Sequence, residues 1–107
     1  MQEENILQLL VRFLMKSSQL KKIVQITNEK GLHARASAEF VKTALKYKSI
    51  IEVCKNNETV IGTSIMELLM LGASKGSYIT IKAKGEDAKE ALKELTKLVT
   101  SSFYEGG

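Results

Sequence analysis

Between Lys22 and Thr100 the apolar positions switch repeatedly between the alternation of a strand and the longer period of a helix. Lys22-Ile-Val-Gln-Ile-Thr27 reads as a short strand, closed by the turn chemistry of Asn28-Glu-Lys-Gly31. Ser37, Phe40, Val41, Ala44 and Leu45 recur on one helical face and predict a helix over 34–46. Ile50, Ile51 and Val53 are β-branched and place a strand at 49–55. Asn56-Asn57 tolerates the positive φ of a tight hairpin turn, so 58–61 returns as its partner strand. Ser64 opens a short helix over 65–71, with Glu67 in the capping-box position and Gly72 at the closing one. Ile79 and Ile81 mark a strand over 77–83. The last helix, 86–100, has Glu86 and Asp87 in its first turn and Ala88, Ala91, Leu92, Leu95, Leu98 and Val99 on its buried face.

The element order is therefore β-α-β-β-α-β-α. One hairpin, with the other connections made through helices, predicts an α+β two-layer open-faced sandwich. Its four-stranded, mostly antiparallel sheet carries three helices on one face. Residues 1–20 stand apart as an N-terminal apolar extension, and 21–107 form the folded domain. In the extension, polar Asn5, Gln8, Arg12 and Lys16 make a narrow stripe among apolar residues, and Ser17-Ser18 marks a break. Ile6, Leu7, Leu10, Phe13 and Leu14 are too many large apolar groups to leave solvated on a monomer. Residues 4–16 are expected to form a helix that packs against the domain or pairs with a second copy. A flexible tail, or a start codon upstream of the one used, is the alternative.

Composition narrows the class without choosing a function. A chain of 107 residues, 44% hydrophobic and 26% charged, fits one globular domain that needs neither disulfide nor metal. The single Cys54 excludes an internal disulfide and agrees with a reducing, cytoplasmic setting; in its strand-like run it reads as a small, half-buried hydrophobe. One histidine and one cysteine make no metal cluster, so no metal or other cofactor is expected, although carboxylates alone leave magnesium open. Sixteen basic against twelve acidic residues give a net charge of +4. The lysines are scattered and lack interleaved aromatics, so the charge reads as a solvated surface, with an acidic protein partner next; a nucleic-acid partner would rest on charge alone and is not expected. The apolar run at Ile6–Met15 follows Glu3-Glu4, contains Arg12 and is too short to span a bilayer, so neither a signal peptide nor stable membrane insertion is expected.

Candidate chemistry gathers at Gly31-Leu-His-Ala-Arg35, which holds the only histidine in the chain. His33 falls at a helix start, where backbone N–H groups lack partners and the helix dipole favours negative charge. A neutral imidazole is nucleophilic near pH 7, and a phosphoryl group on it would meet those amides and Arg35. A surface residue or plain cap is the alternative reading of a lone histidine.

Three landmarks resolve that choice. Gly31-Leu-His-Ala-Arg35 with Phe40-Val41, Ser64-Ile-Met-Glu-Leu-Leu-Met-Leu-Gly72, and Ile81-Lys-Ala-Lys-Gly-Glu-Asp87 together resemble HPr, the histidine-containing phosphocarrier family of the bacterial phosphotransferase system. The resemblance runs from about Leu20 to Phe103 without an obvious insertion. It implies that His33 accepts a phosphoryl group from enzyme I and passes it to an EIIA-type domain, with Arg35 steadying the phosphate. The chain would then be a phosphoryl-transfer intermediate rather than a stand-alone enzyme. It further implies that Ser64 is a regulatory phosphorylation site for an HPr kinase/phosphorylase. Ile65, Met66 and Leu69 offer a partner-docking patch; packing in the core is the alternative for Ile65 and Leu69. The chain departs from the family at Ala36, where proline is usual, and at Glu67, where forms with a regulatory serine often have glycine. A regulatory module of a nitrogen-type phosphotransferase branch, controlling partners by its phosphorylation state, is the competing function.

Overall fold

A computed structural model describes residues 5–16 and 19–105, without the side chains of 13–16. Its elements run α1 (Ile6–Lys16), β1 (Gln19–Gln25), α2 (Ala34–Ala44), β2 (Ile50–Lys55), β3 (Glu58–Ile61), α3 (Ile65–Leu71), β4 (Tyr78–Lys84) and α4 (Ala88–Thr100). The four strands form one sheet in the order β1-β4-β2-β3, and every neighbouring pair is antiparallel. The chain is an open-faced α+β sandwich. Helices α2, α3 and α4 cover one face, and the other carries Ile23, Thr80, Lys82, Glu52 and Ile50 toward solvent.

The register explains the alternation read from the sequence. Val24 stands opposite Ile79, and Ile81 opposite Val53; these side chains point under the helices and are buried. Phe40 from α2, Leu68 from α3, and Leu95 and Val99 from α4 close the core from above. Ala88, Ala91 and Leu98 are buried as the helical period predicts, with Leu92 partly buried against them. Leu45 differs. It is the C-terminal cap of α2, its backbone already turning, and it is 65% exposed. Strand β1 begins at Gln19, before the expected start at 22, because its first residues pair with Lys84 and Ala83 of β4.

Local chemistry sets the element ends. Asn56 takes φ +55 at the hairpin, and Gly72 closes α3 in the left-handed region at φ +68. Before α4, the Asp87 carboxylate accepts from the backbone N–H groups of Lys48 and Ser49 and from the Ser49 hydroxyl. Those bonds, the Ser49 hydroxyl first, hold the Asp87 carboxyl below its usual range.

Helix α1 runs over Ile6–Lys16, inside the span expected to be helical. Asn5 Oδ1 accepts from Gln8 N at 2.8 Å, and Gln8 Oε1 accepts from Asn5 N at 3.2 Å, a reciprocal cap hidden inside what reads as a polar stripe. None of the described side chains from Asn5 to Arg12 is buried, with Ile6 83% and Leu7 68% exposed, so they do not pack on the domain. The side chains of Phe13 and Leu14, the start at residue 4 and the Ser17-Ser18 break lie outside the described residues. No helix among the described residues is long and apolar enough to cross a membrane.

Candidate functional site

The site is built by a tight loop between β1 and α2. Gly31 adopts φ +62, and the chain passes so close to the 73–74 loop that Leu32 N donates to Ala73 O at 2.9 Å. Leu32 is buried, and its carbonyl accepts from the buried Ser37 hydroxyl at 3.1 Å, which ties the loop to the first turn of α2. His33 is the N-terminal cap residue of α2, with extended backbone (φ −75, ψ −178). Its side chain makes no capping bond. The first amides of the helix therefore keep the unsatisfied donors of any helix start.

The imidazole is engaged elsewhere. His33 Nε2 lies 2.7 Å from Glu105 Oε1, although 72 residues separate the two in sequence. An ionised carboxylate only accepts, so the ring donates through Nε2–H. Glu105 Oε2 also accepts from Asn28 Nδ2 at 3.3 Å, and the same amide donates to Gly31 O at 2.7 Å. Asn28 is 1% exposed and so joins the site loop to the C-terminal segment from inside. The bond from His33, reinforced by Asn28 and by the charge of Arg35, holds the Glu105 carboxyl below its usual range.

The chain reaches this point by an unusual route. After α4, Ser102, Phe103 and Tyr104 take φ of +54, +56 and +57, three successive non-glycine residues in the left-handed region. Each costs roughly 1–2 kcal/mol. Burial of Phe103 offsets part of that at about 1.5–3 kcal/mol, and Thr27 Oγ1 meets Ser102 Oγ at 2.7 Å. The turn delivers Glu105 to His33.

Arg35 is exposed and lines the same depression as Glu29, Lys30, His33, Ala34 and Glu105, about 400 Å³ in all. Arg35 and Lys30 bring positive charge to its rim, and Lys75 pairs with Glu29. Ala36 is fully buried in the first turn of α2. The motif thus comes together as its spacing implies, whereas Glu105 and Asn28 were not among the residues singled out from sequence. Asn28 read only as turn chemistry. Glu105 carries no local signal, since its place depends on the turn at 102–104.

Ser64 caps α3, its hydroxyl accepting from Glu67 N at 3.2 Å. The reciprocal half of the capping box is not made: the Glu67 carboxylate accepts from Ile61 N at 3.3 Å and closes the preceding turn instead. Beyond Ser64, Met66 (68%) and Met70 (76%) are well exposed, Ile65 is 39% exposed and Leu69 is half-buried. Core packing is taken by Leu68 and Leu71, not by Ile65. Met70 belongs on this surface, one helical turn from Met66, and periodicity alone did not mark it.

Fold and site define a class: a small open-faced α+β sandwich holding one partly open imidazole at the start of a helix, beside an arginine and a carboxylate. A family model described as the PTS HPr component phosphorylation site matches residues 20–101. The phosphocarrier protein HPr of Neisseria meningitidis serogroup A is 47% identical over 87 residues, which cover 81% of this chain and 98% of that protein. HPr of Pseudomonas aeruginosa is 42% identical over 84 residues, 78% of this chain and 93% of that protein. The crystal structure of HPr-C-His from Thermoanaerobacter tengcongensis superposes with a TM-score of 0.79 at 42% identity, covering 82% of this chain and 99% of that one. The chain belongs to the HPr family of phosphocarrier proteins of the phosphotransferase system.

Proposed function

We propose that His33 is the phosphoryl acceptor, that it is loaded by an enzyme I-type phosphoprotein in the cytoplasm, and that it passes the group to an EIIA-type domain. The observation that carries this reading is the engagement of Nε2–H by Glu105, which leaves the Nδ1 lone pair as the nucleophile. Nδ1 attacks phosphorus, forming an N–P bond as the donor's bond to phosphorus breaks. The ring keeps its Nε2 proton, and its positive charge is met by the Glu105 carboxylate. The open amides of α2 and the Arg35 guanidinium face the new phosphate, and the shallow site leaves room for donor and acceptor proteins in turn. Incubation with enzyme I and phosphoenolpyruvate, followed by intact-mass measurement, tests the reading directly; no adduct would reject it.

Arg35→Ala is expected to slow phosphoryl acceptance tenfold or more while moving stability by less than about 1 kcal/mol, because an exposed arginine contributes little to folding. Stopped transfer assays and urea unfolding of one preparation give both numbers. An equal loss in each would reduce Arg35 to a structural residue.

Ser64 is assigned as the regulatory phosphorylation site, read by partners together with the neighbouring Ile65, Met66 and Leu69. Support comes from its half-buried place as the N-terminal cap of α3 and the apolar surface beside it. Ser64→Ala should cost about 1 kcal/mol as a lost cap and abolish phosphorylation by a kinase of the HPr kinase/phosphorylase type. Modification of the variant at the wild-type level would reject the site.

The extension expected at 1–20 loses Gln19 and Leu20 to β1; what precedes them is proposed as a unit separate from the carrier domain that pairs two copies through residues 4–16. Five exposed apolar side chains on α1 support it: Ile6, Leu7, Leu9, Leu10 and Val11. Light scattering should then give a concentration-dependent dimer for the full chain and a monomer for the Leu7→Asp/Leu10→Asp variant. Identical monomeric masses would leave the extension a tail.

A further inference from the structure

Helix α4 separates its charges. Glu94 accepts from Lys46 at 2.8 Å and from the Tyr47 hydroxyl, and Glu90 lines a depression with Lys48 and Asp87, so both acids lie toward the loop between α2 and β2. On another face Lys89, Leu92, Lys93 and Thr96 follow the i, i+3, i+4, i+7 spacing of a helix. They meet Leu20 and Lys22 of β1 across a groove of about 290 Å³. No acidic side chain lines this groove, and among the described residues none of its three lysines is in an ion pair. The groove opens because β1 is an edge of the sheet. Leu20 and Lys22 share the inner face of the strand with Val24; Val24 is buried under the helices, whereas Leu20 is 40% exposed and Lys22 is exposed. Strand β1 pairs with β4 alone, so its second edge offers backbone N–H and C=O groups that no strand of the sheet takes.

We propose that the groove between β1 and α4 is a docking site for an extended acidic segment of another protein. The segment adds a strand to the open edge of β1, sets carboxylates against Lys22, Lys89 and Lys93, and lays an aliphatic side chain on Leu20 and Leu92. A lysine on an edge strand is a common guard against unwanted pairing. Three cations drawn from two elements around two leucines go further, because they repel a basic strand and attract an acidic one. Side chains on one face of a strand recur at every second residue, so the matching segment alternates acid, aliphatic and acid on its inner face. None of the groove residues lines the depression around His33, so docking leaves the imidazole open to its own partners.

The test uses the full chain and an acetylated, amidated peptide, Thr-Glu-Thr-Leu-Thr-Glu-Thr, whose glutamates and leucine fall on one face of a strand. Titration followed by amide chemical shifts should move residues 19–25 of β1 and 89–96 of α4 and leave 32–35 in place. Added salt should weaken the binding, since exposed charge pairs are screened. Lys22→Glu/Lys89→Glu/Lys93→Glu replaces three exposed side chains and should weaken it about tenfold or more. Lys93→Glu alone should act in the same direction and serves if the triple variant fails to fold. The peptide Glu-Glu-Leu-Thr-Thr-Thr-Thr, equal in charge and composition but without the alternation, should bind clearly more weakly. Equal binding of the two peptides would leave only unspecific charge attraction and overturn the inference. Shifts confined to Lys30 and Arg35, undiminished affinity in the lysine variant, or no binding at about 1 mM peptide would do the same. Phosphatidylglycerol vesicles that move the groove residues while the peptide does not would make the groove a lipid contact instead.

Discussion

Replacing His33 with alanine is expected to abolish phosphoryl acceptance outright while leaving the domain folded. His33 is the only histidine of the chain, so no second imidazole can take over. Wild type incubated with phosphoenolpyruvate and enzyme I should gain about 80 Da, one phosphate less a water, in a form stable to base and labile to acid. The variant should gain nothing. Stability should change little because His33 makes no capping bond, its side chain is only partly buried and it lies outside the core. Loss of its bond strips one partner from Glu105, whose carboxylate keeps Asn28 and can turn to water. Superimposable unfolding curves alongside a missing adduct would assign the loss to chemistry. An adduct of the same mass and lability in the variant would place the acceptor elsewhere.

The acceptor itself was legible because its signal is local. A turn, a glycine, one histidine and one arginine lie within a few residues of a strong helical period, and local spacing is what a sequence displays. The same holds for the hairpin at Asn56-Asn57, for Ser64 at the start of α3 and for Gly72 at its end, all of which depend on neighbouring residues. The rest of the site depends on the chain's return. Glu105 comes to His33 across 72 residues, through a left-handed turn that no propensity favours at Ser102, Phe103 and Tyr104. Phe103 in the core fixes that turn, and nothing in the stretch Ser101–Glu105 announces it. Glu67 shows a milder form of the same limit. Its spacing from Ser64 specifies a reciprocal cap, but tertiary placement offers its carboxylate the Ile61 N–H instead. In α1 the apolar content argued for packing on the domain or on a second copy; the described side chains are exposed on the single chain, so the domain does not cover them, and the helix start is secured by its own Asn5–Gln8 cap.

Gly31→Ala is expected to damage both the stability of the domain and its chemistry. Two independent penalties meet at this position. The backbone holds φ +62, which an L side chain adopts at a cost of roughly 1–2 kcal/mol. A Cβ would also stand 2.4 Å from Ala73 O and 2.8 Å from Ser74 Cα, both main-chain atoms that cannot rotate away. Relief requires the site loop to leave the 73–74 loop, which breaks the Leu32 N to Ala73 O bond and lifts Leu32 from the core. The combined loss should be about 3 kcal/mol, in the range of clashes and strain at buried positions. His33 follows Leu32 directly, so phosphoryl acceptance should fall with it. Gly76→Ala separates the two penalties. Gly76 holds φ +92, but a Cβ there meets nothing within 4 Å, so only backbone strain applies and about 1–2 kcal/mol should be lost. Urea unfolding of both variants decides the matter, with acceptance rates measured below the transition. The close approach of the two loops is what fixes the imidazole if Gly31→Ala loses clearly more of both stability and rate. Equal losses in the two variants would show that the loop yields easily and that Gly31 is present only for its backbone freedom.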